Sequence, residues 1–359
     1  MDTLTHALSG ALAARATAPA PRPDTLPVVR RCAVGMMAAA FPDLDFVAGF
    51  VSPVFYLYHH RGVTHSLLML PLWAALVAWI CTLVWRRDRE RGWRAYYGVA
   101  ALGVGIHILG DLITAYGTMI FAPLSDARVE WATTFIIDLW FTGTILAGLL
   151  ASLVWKGSRV PAVAGMAVLA GYVGWQAVLQ QEAVEFGRAY AREAGYSQPR
   201  VTAQPRPASP FNWMIVVEEG ERLDYAVVRL ARGAAPPPLP ADAGFFQRIA
   251  APYLPLDHAR WVKTLRYGGN AGDAALAREA WSRPELEFFR WFAQYPVLYR
   301  VDRGNPSTCV WFQDLRFFTP GREVFPFRYG LCREEGGPWR LFQLSGEGVI
   351  PLHESARRR

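Results

Sequence analysis

The stretch HHRGVTHSLLMLPLWAALVAWICTLVW (residues 59–85) decides the fold. Three histidines and an arginine stand at its start, and from Ser66 to Trp85 no charged residue follows. An uncharged apolar run of about 20 residues is long enough for a helix to cross the hydrocarbon of a bilayer. Ligand-type side chains therefore stand at the mouth of a membrane helix. An ionisable group at membrane depth costs several kcal/mol unless it is paired, so it marks a functional site.

Working outward, the spacing predicts six helical segments: 3–16, 30–41, 64–85, 95–116, 134–155 and 160–180. The last four have spanning length. The first two are short and would pack inside the bundle as half-helices or re-entrant pieces. Arg22, Arg30, Arg31, the loop RRDRERGWR (86–94) and Lys156 to Arg159 are basic. The positive-inside rule puts these loops in the cytoplasm and turns loops 42–63 and 117–133 outward. The start MDTLTHALSGALAARA does not read as a signal peptide, because its n-region is acidic and His6 interrupts the apolar run. The chain has 359 residues, is 52% hydrophobic and carries a net charge of +7. The arginines of the short loops account for that charge, so no nucleic acid partner is expected.

The composition changes after Gln180. A polar helical stretch (QEAVEFGRAYAREAGYSQ) follows and leads to the proline-rich PRVTAQPRPASP. A membrane-embedded domain is expected over 1–185, a proline-rich linker over 186–210, and a small soluble α+β domain over 211–359. In the last, WMIVVEE and LDYAVVRL read as strands, 240–295 as helical, and VLYRVD, TCVWFQDLRF, FPFRYGLC and WRLFQL as an antiparallel sheet. The four cysteines form no CxxC, which argues against a thiolate metal site. Cys309 and Cys332 lie in strand-like segments and could pair if this half is outside the cytoplasm, although spacing alone does not fix connectivity.

Five of the seven histidines fall in the first third: His6, His59, His60, His65 and His107. His107 and Asp111 form H-x-x-x-D, which on a helix turns both side chains to one face and lets them grip one ion. Asp2 and His6 repeat that spacing, though Asp2 reads equally well as a helix N-cap. Asp43 and Asp45 in FPDLD would diverge on a helix, so at least one must leave helical geometry. Carboxylates so placed can bridge metals or hold a water as general base. In HHRGVTHS, Gly62 permits a tight backbone that aims His60 and His65 inward, and Arg61 can pair with a carboxylate or a phosphate. Asp138 is expected one turn into the fifth helix, as a ligand or as an acceptor orienting a histidine. Asp126, Arg128 and Glu130 read as solvated, and Trp73, Trp79, Trp85, Trp131 and Trp140 as interfacial belt and packing. Threaded through the expected topology, the candidates converge at one outer face.

At these residues the sequence resembles the YdjM-like family. The carriers of the likeness are Asp2, Thr5 and His6 (D-x-x-T-H), FPDLD, HRGVTHS (His60 to Ser66), HILGD (His107 to Asp111) and Asp138, over roughly residues 1–180. The resemblance implies a multi-pass, metal-dependent hydrolase of the bacterial inner membrane. That family is similar in turn to the zinc-dependent phospholipase C and single-strand nuclease superfamily. A phospholipase C-like helical core is thereby implied, with a phosphoester as substrate, lipid or lipid-linked. The superfamily's downstream histidine and its H-x-x-x-E pair have no counterpart here, so one or two zinc ions fit the sequence better than three. In the mechanism expected here His6, His60, His65, His107 and Asp111 hold zinc, Asp43, Asp45 and Asp138 share ligand and supporting roles, and Asp2 is a further ligand. Asp43 or Asp45 would take the proton of a metal-bound water, and Arg61 would steady developing charge. The site and the C-terminal domain are expected on the periplasmic side. Two rivals share the His/Asp set: a transporter or metal-ion carrier, and a membrane anchor whose tail recruits a partner.

Overall fold

A computed structural model describes residues 1–22, 25–86, 91–234, 239–240, 242–304, 307–322, 325–346 and 348–352; much of the basic loop 86–94 lies outside the described residues. The chain forms two compact units, Met1–Ala48 with His59–Val178, and Gly49–Tyr58 with Leu179–Arg359.

The helices of the first part, in chain order, are α1 (Thr3–Ala16), α2 (Val28–Ala40), α3 (Pro53–His59), α4 (Leu70–Val84), α5 (Arg94–Leu112), α6 (Leu139–Val154) and α7 (Val160–Glu193). A 3-10 segment, Phe41–Phe50, continues α2, and a single 3-10 turn, Val63–His65, precedes α4. Among the described residues three helices are long and apolar enough to cross a membrane: Val28–Phe50, Arg94–Leu112 and Val160–Glu193. Pro53–His65 and Leu70–Val84 make a pair bent by 82° that would supply a fourth span, while Leu139–Val154 is shorter. Leu146, Leu150, Leu153 and Val154 on α6 and Val160, Val163 and Val168 on α7 are exposed, as lipid-facing residues must be.

Two apolar clusters build this bundle. Val34, Ala38, Val77, Ala78, Tyr96, Val99 and Val104 join α2, α4 and α5, whereas Leu12, Phe141, Ile145, Ala162 and Leu169 join α1, α6 and α7. Small residues set the closest crossing. A Cβ at Gly35 would lie 2.4 Å from the carbonyl oxygen of Gly10, and one at Gly103 would lie 2.8 Å from that of Gly35. Helix backbones approach this closely only over glycine.

Several expected boundaries shift, each for a local reason. The helix expected from residue 64 begins at Leu70, with Pro71 in its first turn, where the missing N–H costs nothing. The helix expected from 134 begins at Leu139, because Asp138 is its N-cap. The span expected to end at 180 and the polar helical stretch after it form one continuous helix to Glu193. The linker expected over 186–210 is corrected by the structure. Gly187 of α7 lies so close to the sheet that a Cβ there would meet Ile215 and Val201, and residues 200–205 form a strand. Pro205 is accommodated because that strand is the edge of its sheet.

Among its described residues the second unit holds two five-stranded sheets. The first contains β1 (Arg200–Pro205), β2 (Asn212–Glu219), β3 (Arg222–Arg229), β4 (Leu254–Pro255) and β5 (Val262–Leu265), with β3 bordered by β2, β4 and β5. Strand β2 is buried on both faces. Trp213 and Ile215 meet Leu179 and Ala183 of α7, and Met214 and Val216 meet Tyr295, Val297 and Leu315. The region 240–295 is not one helical stretch. It breaks into α8 (Phe245–Ala250), α9 (Ala271–Ser282) and α10 (Glu287–Phe292) around β4 and β5, because Pro252, Pro255 and Pro284 interrupt helix hydrogen bonding. The second sheet is antiparallel in the order β10-β9-β8-β7-β6, from β6 (Pro296–Arg303), β7 (Ser307–Asp314), β8 (Arg328–Glu334), β9 (Arg340–Ser345) and β10 (Gly348–Pro351). Cys309 of β7 and Cys332 of β8 are direct cross-strand partners and are joined by a disulfide.

The glycine crossing gives a test of the bundle. Gly35→Val would drive a side chain into the Gly10 backbone, which cannot give way, and should cost about 1–3 kcal/mol. Gly98→Ala and Gly143→Ala, where nothing lies within 4 Å of the new Cβ, should leave thermal unfolding of the detergent-purified protein unchanged or slightly raised.

Candidate metal centre

The ends of four elements bring the candidates together. Helix α1 begins with Asp2 and His6, the 3-10 segment after α2 carries Asp43 and Asp45, the turn before α4 carries His65, and the last turns of α5 carry His107 and Asp111. Alternate up and down helices place all of these at one end of the bundle.

At its centre lie Asp43, His65, His107 and Asp111, which each offer one ligand atom within 4.8 Å of the others. His65 Nε2 is 3.2 Å from Asp111 Oδ2 and 3.8 Å from Asp43 Oδ1. His107 Nε2 is 3.4 Å and 3.7 Å from the same two oxygens. Ligand bonds of 2.0–2.2 Å in a tetrahedron imply ligand-to-ligand edges of about 3.3–3.6 Å. The four distances, 3.2–3.8 Å, lie close to such edges, as a group able to close on one ion requires. His65, His107 and Asp111 are wholly buried, and only Asp43 reaches the surface, at 14% side-chain exposure.

Whether these residues fit a cation is decided by their hydrogen bonds. His65 Nε2, His107 Nε2 and Asp111 Oδ2 are buried and make none. Buried polar atoms are almost always satisfied, and an exception calls for an ion or other partner. The opposite edges of the same groups are fully engaged. His107 Nδ1 donates to the carbonyl of Ala39 at 2.6 Å, leaving the Nε2 lone pair facing the centre. Asp111 Oδ1 accepts from His6 Nε2 at 3.0 Å, from Arg61 at 2.8 Å and from the amino group of Met1. Its other oxygen is left for the centre. Donor atoms held from behind and unpartnered in front are what a metal site requires.

The remaining candidates lie around this centre in other roles. His6 does not join the four; it stacks on His107 at 3.7 Å and supports Asp111. A Cβ at Gly110 would come within 3.1 Å of the His6 ring, so the glycine of HILGD makes room for that histidine. His60 is also outside the four, with Nδ1 on Asp45 Oδ1 at 2.9 Å. Asp45 has both oxygens engaged, the second by the Arg61 amide and the Thr64 hydroxyl. Asp2 caps α1, accepting from the Thr5 amide and hydroxyl. Asp138 caps α6 through the amides of Trp140 and Phe141 and accepts from the Tyr172 hydroxyl at 2.7 Å, so it is not part of the centre. Arg61 is 2% exposed, with its guanidinium on Asp111 and Thr114 and over the ring of Tyr116. It braces the centre from inside and does not face an incoming ligand. The left-handed residue in this loop is Arg61, at φ 59°, and not Gly62. Gly62 is needed for space, since a Cβ there would lie 2.8 Å from the carbonyl of His59. Arg128, expected to be solvated, also lies over Tyr116 and bonds the Gly117 carbonyl.

Sequence reasoning reads Thr64 only as a helix cap and passes over Thr3, Thr114 and Tyr116. Thr3 holds Asp43 Oδ2 at 2.6 Å and Thr114 holds Arg61. The repeated Thr-His dipeptide (Thr5-His6, Thr64-His65) was the available signal. In each, the threonine hydroxyl bonds an aspartate.

Fold and site together define a membrane protein with a buried His/Asp cluster that could hold a metal ion. A family model described as YdjM inner membrane protein matches residues 1–183, and the chain belongs to that family. It is similar to the uncharacterized protein YfhP of Bacillus subtilis (strain 168), 26% identical over 181 residues, which is 50% of this chain and 53% of YfhP. The match thus spans about half the length of that relative. No solved structure matches.

His107→Ala and Asp111→Asn should each abolish metal retention, read as metal per protein by elemental analysis in detergent. Asp138→Ala should keep the metal and lose about 1 kcal/mol of stability with its cap.

Proposed function

We propose that the protein is a membrane-bound, metal-dependent hydrolase acting on a phosphoester, lipid or lipid-linked. The observation that carries this reading is the set of three buried, unpartnered ligand atoms on His65, His107 and Asp111, closed by Asp43. Two imidazoles and two carboxylates suit zinc. The grouping supports one ion: among the described residues no second group of three or more ligands occurs.

Bound there, the metal would supply a Lewis acid and a water ionised near neutral pH. The protein's own residues supply the rest. His65, His107 and Asp111 fix the ligand geometry from wholly buried positions, which excludes bulk water on three sides. Asp43, at the rim, closes the ligand set through Oδ1 while Thr3 holds its Oδ2. Asp45, engaged on both oxygens, supports the site from behind.

In this reading the chain is a multi-pass inner-membrane protein with the site and the C-terminal unit on the periplasmic side. Arginines at the other ends of the helices support that orientation. Arg15 binds the carbonyls of Lys156 and Ser158, and Arg31 those of Ala14 and Thr17. The disulfide between Cys309 and Cys332 supports an oxidising compartment for the second unit.

The test is a chromogenic phosphodiester screen on detergent-purified protein. Turnover that a chelator abolishes and added zinc restores is expected. Stoichiometric metal without turnover of any phosphoester would sink the hydrolase and leave the ion-carrier reading.

A further inference from the structure

Two imidazoles face the centre, and each must present an unprotonated Nε2 to a cation. They reach that state by different means. His107 is anchored by a backbone carbonyl, Ala39 O, which no substitution removes. His65 is anchored by a side chain: its Nδ1 lies 2.9 Å from the Thr64 hydroxyl oxygen, which lies 3.1 Å from Asp45 Oδ2. Direct contact from Nδ1 to that carboxylate oxygen is longer, at 3.4 Å.

Donor accounting fixes the direction of this chain. A threonine hydroxyl has one proton, and an ionised carboxylate only accepts. Asp45 stays the acceptor, because the Arg61 amide donates to the same oxygen at 3.0 Å. The Thr64 proton therefore goes to Asp45, and the Thr64 oxygen is left to accept from His65. His65 must then carry its proton on Nδ1. Reversing the relay would set lone pairs of Thr64 and Asp45 against each other. The carboxylate is itself pinned on its far side by His60 at 2.9 Å. Arg61 adopts its left-handed backbone where its amide meets Asp45, a conformation a non-glycine residue rarely takes.

We infer that Asp45 is a positioning residue: acting through the Thr64 hydroxyl, it locks His65 in the Nδ1-protonated tautomer so that Nε2 is held open for the ion. The inference rests on the proposed metal site and deepens it. It assigns to Asp45 and to Thr64 a shared role in orienting His65. Removing such a support lowers metal affinity by about 10- to 100-fold in comparable sites.

The experiment has two arms on the full-length protein in detergent. In the first, zinc affinity is measured by chelator competition. Thr64→Val, which keeps the shape and deletes the hydroxyl, should weaken binding 10- to 100-fold. Thr64→Ser should restore it to within about threefold on the same argument, and Asp45→Asn should weaken it like Thr64→Val. Unchanged zinc affinity in Thr64→Val, or failure of Thr64→Ser to rescue, would overturn the relay. In the second arm, 15N shifts of selectively labelled histidine are read in the metal-free protein, with His65→Gln assigning the signal. An Nδ1-protonated His65 that becomes a tautomer mixture in Thr64→Val is expected, whereas an Nε2-protonated His65 in the unmutated protein refutes the relay outright. This arm needs no bound metal. A protein that takes up no zinc but shows the expected tautomer shift defeats the metal reading and leaves the relay standing.

Discussion

Everything at this end of the bundle depends on the Asp111 carboxylate. It is wholly buried on a helix that can cross a membrane, and an uncompensated charge there would cost several kcal/mol. The compensation is divided between its two oxygens. One accepts from Arg61, His6 and the Met1 amino group, and the other faces the nitrogens of His65 and His107 without a hydrogen bond. Three carboxylates, Asp43, Asp45 and Asp111, meet one guanidinium and one amino group in this region. A cation at the unpartnered face would offset the excess negative charge.

The surrounding fold serves that arrangement. Gly10, Gly35 and Gly103 let α1, α2 and α5 approach closely enough for the starts and ends of these helices to share one small volume. Gly110 admits the His6 ring beside α5, and Gly62 lets the chain turn tightly after His60. Arg61 sits in a left-handed conformation whose amide serves Asp45 and whose guanidinium serves Asp111. One loop residue thus links the carboxylate that holds His65 from behind to the one that faces it.

Much of this was legible beforehand. Apolar periodicity located α1 to the residue and α2 to within two residues, because lipid imposes one uniform requirement along a whole segment, but it started α4 and α6 too early, where Pro71 and the Asp138 cap set the helix beginnings. The H-x-x-x-D pair and the HHRGVTHS segment pointed to the right place, since ionisable groups among apolar runs need a reason. The proline-rich stretch 199–210 misled. Prolines are compatible with an edge strand, and composition does not reveal that an edge is on offer. Residues 240–295 misled for the opposite reason: helix-compatible side chains masked the three prolines that divide them.

The sequence by itself determined which groups are present: imidazoles and carboxylates at the ends of apolar helices, and glycines where backbones must meet. It also carried the family, through motifs dispersed over the first half of the chain. Only the tertiary structure decided which of those groups face the same point. Asp2 and Asp138 cap their own helices, a local hydrogen bond that satisfies each where it stands. Asp43, His65, His107 and Asp111 have no such local outlet for their inward atoms and meet across the bundle. The difference lies in where each side chain's hydrogen bonds close, and that depends on neighbours far away in the chain.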